Sequence, residues 1–178
     1  MNSDQRQRLT DHFPNVRLHT QHGGEVRFYD DLVKGKVVLI SFMFTSCTAQ
    51  CPLETANLAK LQHALEPHAG RDIFIISISV DPEHDTPTVL QQYANQFGAK
   101  PGWTFVTGKA ADIERIQLQL GAYQADGSPH TGMLIYGNEV KGWWADTPIM
   151  QNAASLARIV LRVVDKTASV TTLCVSPS

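Results

Sequence analysis

Two hydrophobic periods divide the chain. Residues 37–44 form an uncharged apolar run rich in β-branched and aromatic side chains, which predicts a strand buried on both faces. Residues 73–80 repeat the pattern. Between them Leu58, Leu61 and Leu65 recur at helical spacing, so a helix with one apolar face follows the first strand. Pro52 suits the first turn of a helix and disfavours helical geometry at the residue before it. The helix is therefore expected to start at about Pro52, with Cys51 at its mouth and Cys47 in the loop before it.

The remaining pattern adds further elements. Residues 16–29 read as a hairpin around His22-Gly23-Gly24, and residues 30–36 lead into the first buried strand. Asp81-Pro82 ends the second. Thr86 is a good N-cap with Pro87 at the first helical position. Val89, Leu90, Tyr93 and Phe97 give that helix an apolar face, and Gly98 is a natural stop. A short strand spans 103–106. Ile113, Ile116, Leu120 and Tyr123 predict a helix over 111–123, and Asp126-Gly127 a turn. Residues 133–136 and 139–144 read as a hairpin around Gly137-Asn138, and 153–164 as a last amphipathic helix. A strand–helix–strand unit followed by a hairpin and a helix is the thioredoxin-like order. The expected fold is α/β and thioredoxin-like: a central mixed sheet flanked by helices, with an N-terminal hairpin. Residues 1–15 are expected to be an extension, 16–166 the domain and 167–178 a mobile tail.

Composition narrows the function. With 178 residues, 43% of them hydrophobic, and a net charge of -2, the chain can bury one sizeable core. It shows no basic patch, which argues against nucleic acid as a partner. No apolar run approaches the roughly 20 residues of a membrane span. Residues 1–8 are polar and lack the apolar centre of a signal peptide, so the sequence fits either a cytosolic protein or one whose targeting segment has been removed. Three cysteines are too few for a disulfide scaffold.

Candidate chemistry concentrates in Thr45-Ser46-Cys47-Thr48-Ala49-Gln50-Cys51-Pro52. A thiol at a helix N-terminus feels the positive end of the dipole, which favours thiolate. Two thiols on one short loop can close a disulfide or chelate one soft metal ion. The Cys-x-x-x-Cys spacing is one residue wider than that of thioredoxins, leaving room for an ion. Thiolates select copper(I) above all, with zinc as competitor. The plain alternative is two buried cysteines packed as small hydrophobes. His130, before the strand that starts at Met133, is the candidate third ligand; a turn histidine facing water is its alternative. Asp81 and Asp85 read as turn and cap residues. One of Trp143 and Trp144 must point inward. The other histidines, His12, His19, His22, His63, His68 and His84, are expected to face solvent, and Cys174 to be an idle tail thiol.

Four segments resemble the Sco (SenC) family of copper-binding thioredoxin-like proteins. They are Lys34-Gly35-Lys36-Val37-Val38-Leu39 leading to Thr45-Ser46-Cys47 and Cys51-Pro52; Ser79-Val80-Asp81-Pro82 with Asp85-Thr86-Pro87; Trp103-Thr104-Phe105 with Thr107-Gly108; and His130-Thr131. The resemblance covers about residues 16–164. It implies copper held by Cys47, Cys51 and His130, and delivery of copper or reducing equivalents to the copper centre of cytochrome c oxidase. It also implies work outside the cytoplasm, in the periplasm or tethered to a membrane, with a respiratory oxidase subunit or another copper or thiol protein as partner. Thr48-Ala49 stands where the family usually has Pro-Asp, and Pro129 where it usually has Asp. Two functions remain open: a copper(I) metallochaperone, and a thiol-disulfide oxidoreductase in which Cys47 and Cys51 are the catalytic pair.

Overall fold

The computed structural model describes residues 13–123 and 132–164. Its centre is strand β3 (Val37–Met43), buried along its whole length as the apolar run predicts. Side chains alternate across it. Val37, Leu39 and Met43 enter one core, and Val38, Ile40 and Phe42 enter a second on the opposite face.

Around β3 lie six more strands: β1 (Arg17–Thr20), β2 (Glu25–Arg27), β4 (Ile73–Ser79), β5 (Trp103–Gly108), β6 (Met133–Asn138) and β7 (Trp143–Pro148). Together they form one mixed sheet in the order β2-β1-β5-β4-β3-β6-β7. Strands β3, β4 and β5 are parallel. The hairpin β1–β2 and the pair β6–β7 run antiparallel at the two edges. Among the described residues four α-helices flank the sheet: α1 (Gln50–Ala64), α2 (Pro87–Gln96), α3 (Ala110–Gln119) and α4 (Ala153–Val164). Helices α1, α2 and α4 cover the first core through Leu58, Leu61, Leu90, Tyr93, Leu156 and Val160. Helix α3 covers the second with Ile113 and Ile116. Each fully buried leucine on α1 contributes about 1.5–3 kcal/mol relative to an exposed one. This is the expected thioredoxin-like arrangement, and no helix among the described residues is long and apolar enough to cross a membrane.

Several local expectations hold. The first hairpin turns through His22-Gly23-Gly24, where Gly23 has φ +82°. Thr86 caps α2 by accepting the Val89 N–H, with Pro87 in the first turn. Gly98, at φ +67°, follows its end. Trp144 is buried and Trp143 only half-buried. His19, His22, His63 and His84 are exposed; His68 is half-buried and paired with Asp72 at 2.9 Å. Phe13, counted with the extension in the sequence reading, packs against Phe28, Tyr29 and Trp144.

Other expectations are corrected. The link after the first hairpin contains a π-helical turn, Phe28–Val33, whose Phe28 and Val33 are buried; its six residues are too few to carry a readable period. Helix α3 ends before Leu120, because Gly121 at φ +67° turns the chain, and Tyr123 lies outside it and exposed. The last hairpin turns at Glu139–Gly142, with Gly142 at φ +59°. Gly137 and Asn138 lie within β6 instead, opposite Trp144 and Trp143. A Cβ on Gly137 would sit 2.4 Å from the Trp144 ring, so glycine is there for close packing and not for a turn. Gly137→Ala is expected to cost about 1–3 kcal/mol through overpacking, seen as a lower urea midpoint with unchanged slope. The Asp126-Gly127 turn, His12, His130, Cys174 and the 167–178 tail lie outside the described residues.

Candidate metal centre

The thiols sit where the parallel strands end. Open α/β sheets leave a crevice at the carboxyl ends of their strands. Strand β3 runs into that edge, its chain loops through residues 44–49, and α1 carries it away. The helix begins at Gln50, two residues earlier than the proline signal suggests. Pro52 still falls within the first turn, where the missing N–H costs nothing. Cys51 is therefore helical, inside the first turn instead of at its mouth.

The helix start explains the relation between the thiols. Ala49, at the N-cap, offers no side-chain acceptor. Cys47 Sγ supplies one, accepting the Cys51 N–H at 3.4 Å. Cys51 is fully buried in the first core, and Cys47 packs against that core while half-buried. Burial pushes the Cys47 thiol up, but hydrogen bonds with the Cys51 thiol and with the backbone of Cys51, Ala49 and Gln50 outweigh it, and its pKa ends below the ordinary value. Burial, followed by the hydrogen bond to Cys47, pushes the Cys51 thiol up to about 12. The site thus holds one half-buried, thiolate-prone sulfur in the loop and one deep, protonated sulfur in the first turn of α1.

Side chains from β4, α1 and the segment before α2 hold this loop. Asp85 is fully buried. It accepts the Thr45 N–H at 3.0 Å, the Thr45 hydroxyl, and the Ser79 hydroxyl at 2.6 Å. The expected neighbourly role beside the Thr86 cap is corrected: Asp85 ties the end of β4 to the start of the thiol loop. Thr55 donates to the Cys51 carbonyl at 2.8 Å and meets the Tyr93 hydroxyl at 3.1 Å, joining α1 to α2 behind the thiols. Asp81 keeps its local part, paired with His84 at 2.9 Å; that hydrogen bond raises the imidazole pKa. The Asp-x-x-x-Asp-Thr-Pro segment was the available signal for Asp85, but its partner Thr45 is 40 positions away.

Among the described residues, no three His, Cys, Asp or Glu side chains converge to hold a metal. The two sulfurs are a soft donor pair suited to copper(I). The β3–β6 register, from Val37↔Asn138 to Ile40↔Ile135, brings the start of β6 to the thiol end of β3. There Gly132, at φ +62°, lies against the first turn of α1: a Cβ on it would stand 2.9 Å from Gln50 Nε2 and 3.1 Å from Glu54 Oε1.

Comparison with known proteins agrees with this geometry. The SCO1/SenC family model matches residues 3–136. The chain belongs to the SCO1/SenC family. A SCO1 protein homolog from Bacillus subtilis is 39% identical over 89 residues, which are 49% of this chain and 46% of that protein. The chain spans about half the length of the curated relatives it matches. Among solved structures, copper-bound ScoI from Bradyrhizobium japonicum superposes with a TM-score of 0.69 at 26% identity, covering 83% of this chain and 96% of that one. The structure of BsSco, described as having a disulfide switch and as a member of the Sco family of cytochrome c oxidase assembly proteins, matches at 28% identity and a TM-score of 0.66, over 84% and 91% of the two chains.

Proposed function

We propose that this SCO1/SenC protein binds one copper(I) ion through Cys47, Cys51 and His130 and passes it to a partner copper protein. By the family resemblance that partner is a respiratory oxidase subunit, and the work is done in the periplasm or from a membrane tether facing out of the cytoplasm. The observation that carries the reading is the pair of sulfurs, one in the loop and one in the first turn of α1, with the start of β6 lying against that turn. His130 stands two residues before Gly132 in the chain. Copper is the cargo here, and the chain's task is to offer soft donors and release them to a competing set.

A competition titration with copper(I) tests the ligand set. His130→Ala should weaken binding at least as much as losing a supporting contact around a metal, roughly 10–100-fold, without abolishing it, because two thiolates remain. Unchanged affinity in that variant would remove His130 from the site.

The second reading is disulfide exchange, and the unequal thiols favour it as an additional activity. Cys47, half-buried with a lowered pKa, suits attack on a partner disulfide, and Cys51 suits resolution of the mixed disulfide. Mild oxidation should join Cys47 to Cys51 and leave Cys174 out, as mass mapping of the oxidised chain can determine. A dominant bridge to Cys174 would sink the assignment. His130→Ala should leave this bridge able to form, which separates the two readings.

A further inference from the structure

A second site lies on the same edge of the sheet, beyond β5. The first hairpin, the segment leading into α2 and the start of α3 enclose a cavity of about 760 Å³, within the range of small-molecule sites. Its walls carry Arg17 and Arg27 from the hairpin and Lys109 and Arg115 from the α3 side, against two acids, Glu25 and Asp112.

Two observations point to an anionic ligand. Arg17 and Arg27 are direct partners in the β1–β2 register, and like charges facing each other across an antiparallel pair repel. Glu25 approaches Arg17 at 3.6 Å, an exposed contact, and no ion pair among the described residues engages Arg27, Lys109 or Arg115. Next, α3 begins at the cavity with Lys109 at its N-cap and no side-chain cap. Helix N-termini present free N–H groups and partial positive charge.

We propose that this cavity binds a small ligand carrying clustered oxyanion groups, either a phosphate ester or a polycarboxylate, held between the hairpin arginines and the start of α3. The shared chemistry is several oxygens with multiple negative charge; arginine forks match carboxylate and phosphate alike. The site is separate from the thiols and does not use copper.

Calorimetric titration of the reduced, metal-free full chain tests this, with pyrophosphate in one arm and citrate in the other, at low ionic strength. One saturable site with a Kd of about 1 mM or tighter is expected for at least one probe. Tighter binding of pyrophosphate assigns a phosphate ester, and tighter binding of citrate a polycarboxylate. The double variant Arg27→Gln, Arg115→Gln should weaken binding about tenfold or more, with an unchanged melting temperature without ligand. Should it fail to fold, Arg115→Gln alone, on an exposed helix position, gives the same comparison. Lys60→Gln, exposed on α1 and outside the cavity, should bind as the wild type does. Absence of saturable binding by both probes, or equal weakening in Lys60→Gln, overturns the proposal.

Discussion

Replacing Cys51 by serine should remove high-affinity copper(I) binding, with a loss exceeding the roughly 10–100-fold scale set by supporting contacts. A hydroxyl is a hard, poor ligand for a soft ion, and at this buried position no water can easily take its place. Cys47→Ser should be comparably damaging, and both should exceed His130→Ala. The protonation of the pair adds a signature in pH. The Cys51 thiol, pushed up to about 12 by burial, carries its proton at neutral pH and must release it when copper binds. Affinity therefore falls as pH falls, by about tenfold per unit for each proton displaced. Cys47, whose pKa is lowered, adds a second proton only below its own titration. A competition titration from about pH 6 to about pH 9 should give a slope of at least one proton. Affinity independent of pH would mean that Cys51 is not a ligand.

The second large effect concerns Asp85. Asp85→Ala leaves the Thr45 N–H, the Thr45 hydroxyl and the Ser79 hydroxyl without their acceptor. Each buried group left unpaired costs about 1–3 kcal/mol. Because the two hydroxyls can turn to other partners, about 3 kcal/mol in total is expected, or a fall of roughly 6–12 °C in melting temperature. Asp85→Asn keeps one acceptor oxygen, and its amide can donate to a hydroxyl, so it should cost only about 1 kcal/mol and leave copper(I) affinity unchanged. A marked loss of affinity in a folded Asp85→Asn protein would show that this carboxyl does more than hold the loop. Equal stability in Asp85→Ala and wild type would mean that the network contributes nothing to folding.

How far the sequence reached depended on the range of each interaction. Elements defined by local periodicity were legible: the buried run at 37–44, the 73–80 strand, the capped helix at Thr86-Pro87 and the last helix, which matches Ala153–Val164. Each depends on residues within a few positions of one another, where side-chain alternation, caps and proline geometry act. The dithiol motif was legible for the same reason, since the two cysteines are close in sequence, one in the loop and one in the first turn of α1. Gly137 was misread because a glycine at a turn and one beneath a packed ring look alike in sequence, and only the β6–β7 register brings Trp144 over it.

The tertiary structure decided what depends on distant partners. The fold buries Cys51 while leaving Cys47 half-exposed, and this difference in desolvation separates two thiols that are chemically identical in the sequence. Folding also brings Asp85 to Thr45. The basic cavity is the clearest case. Arg17, Arg27, Lys109 and Arg115 are scattered through a chain of net charge -2, so no charge pattern marks them. Pairing of β1 with β2 and with β5 collects them at one sheet edge. Charge repulsion and desolvation depend on separation in space, and for residues this far apart in sequence only the sheet sets that separation.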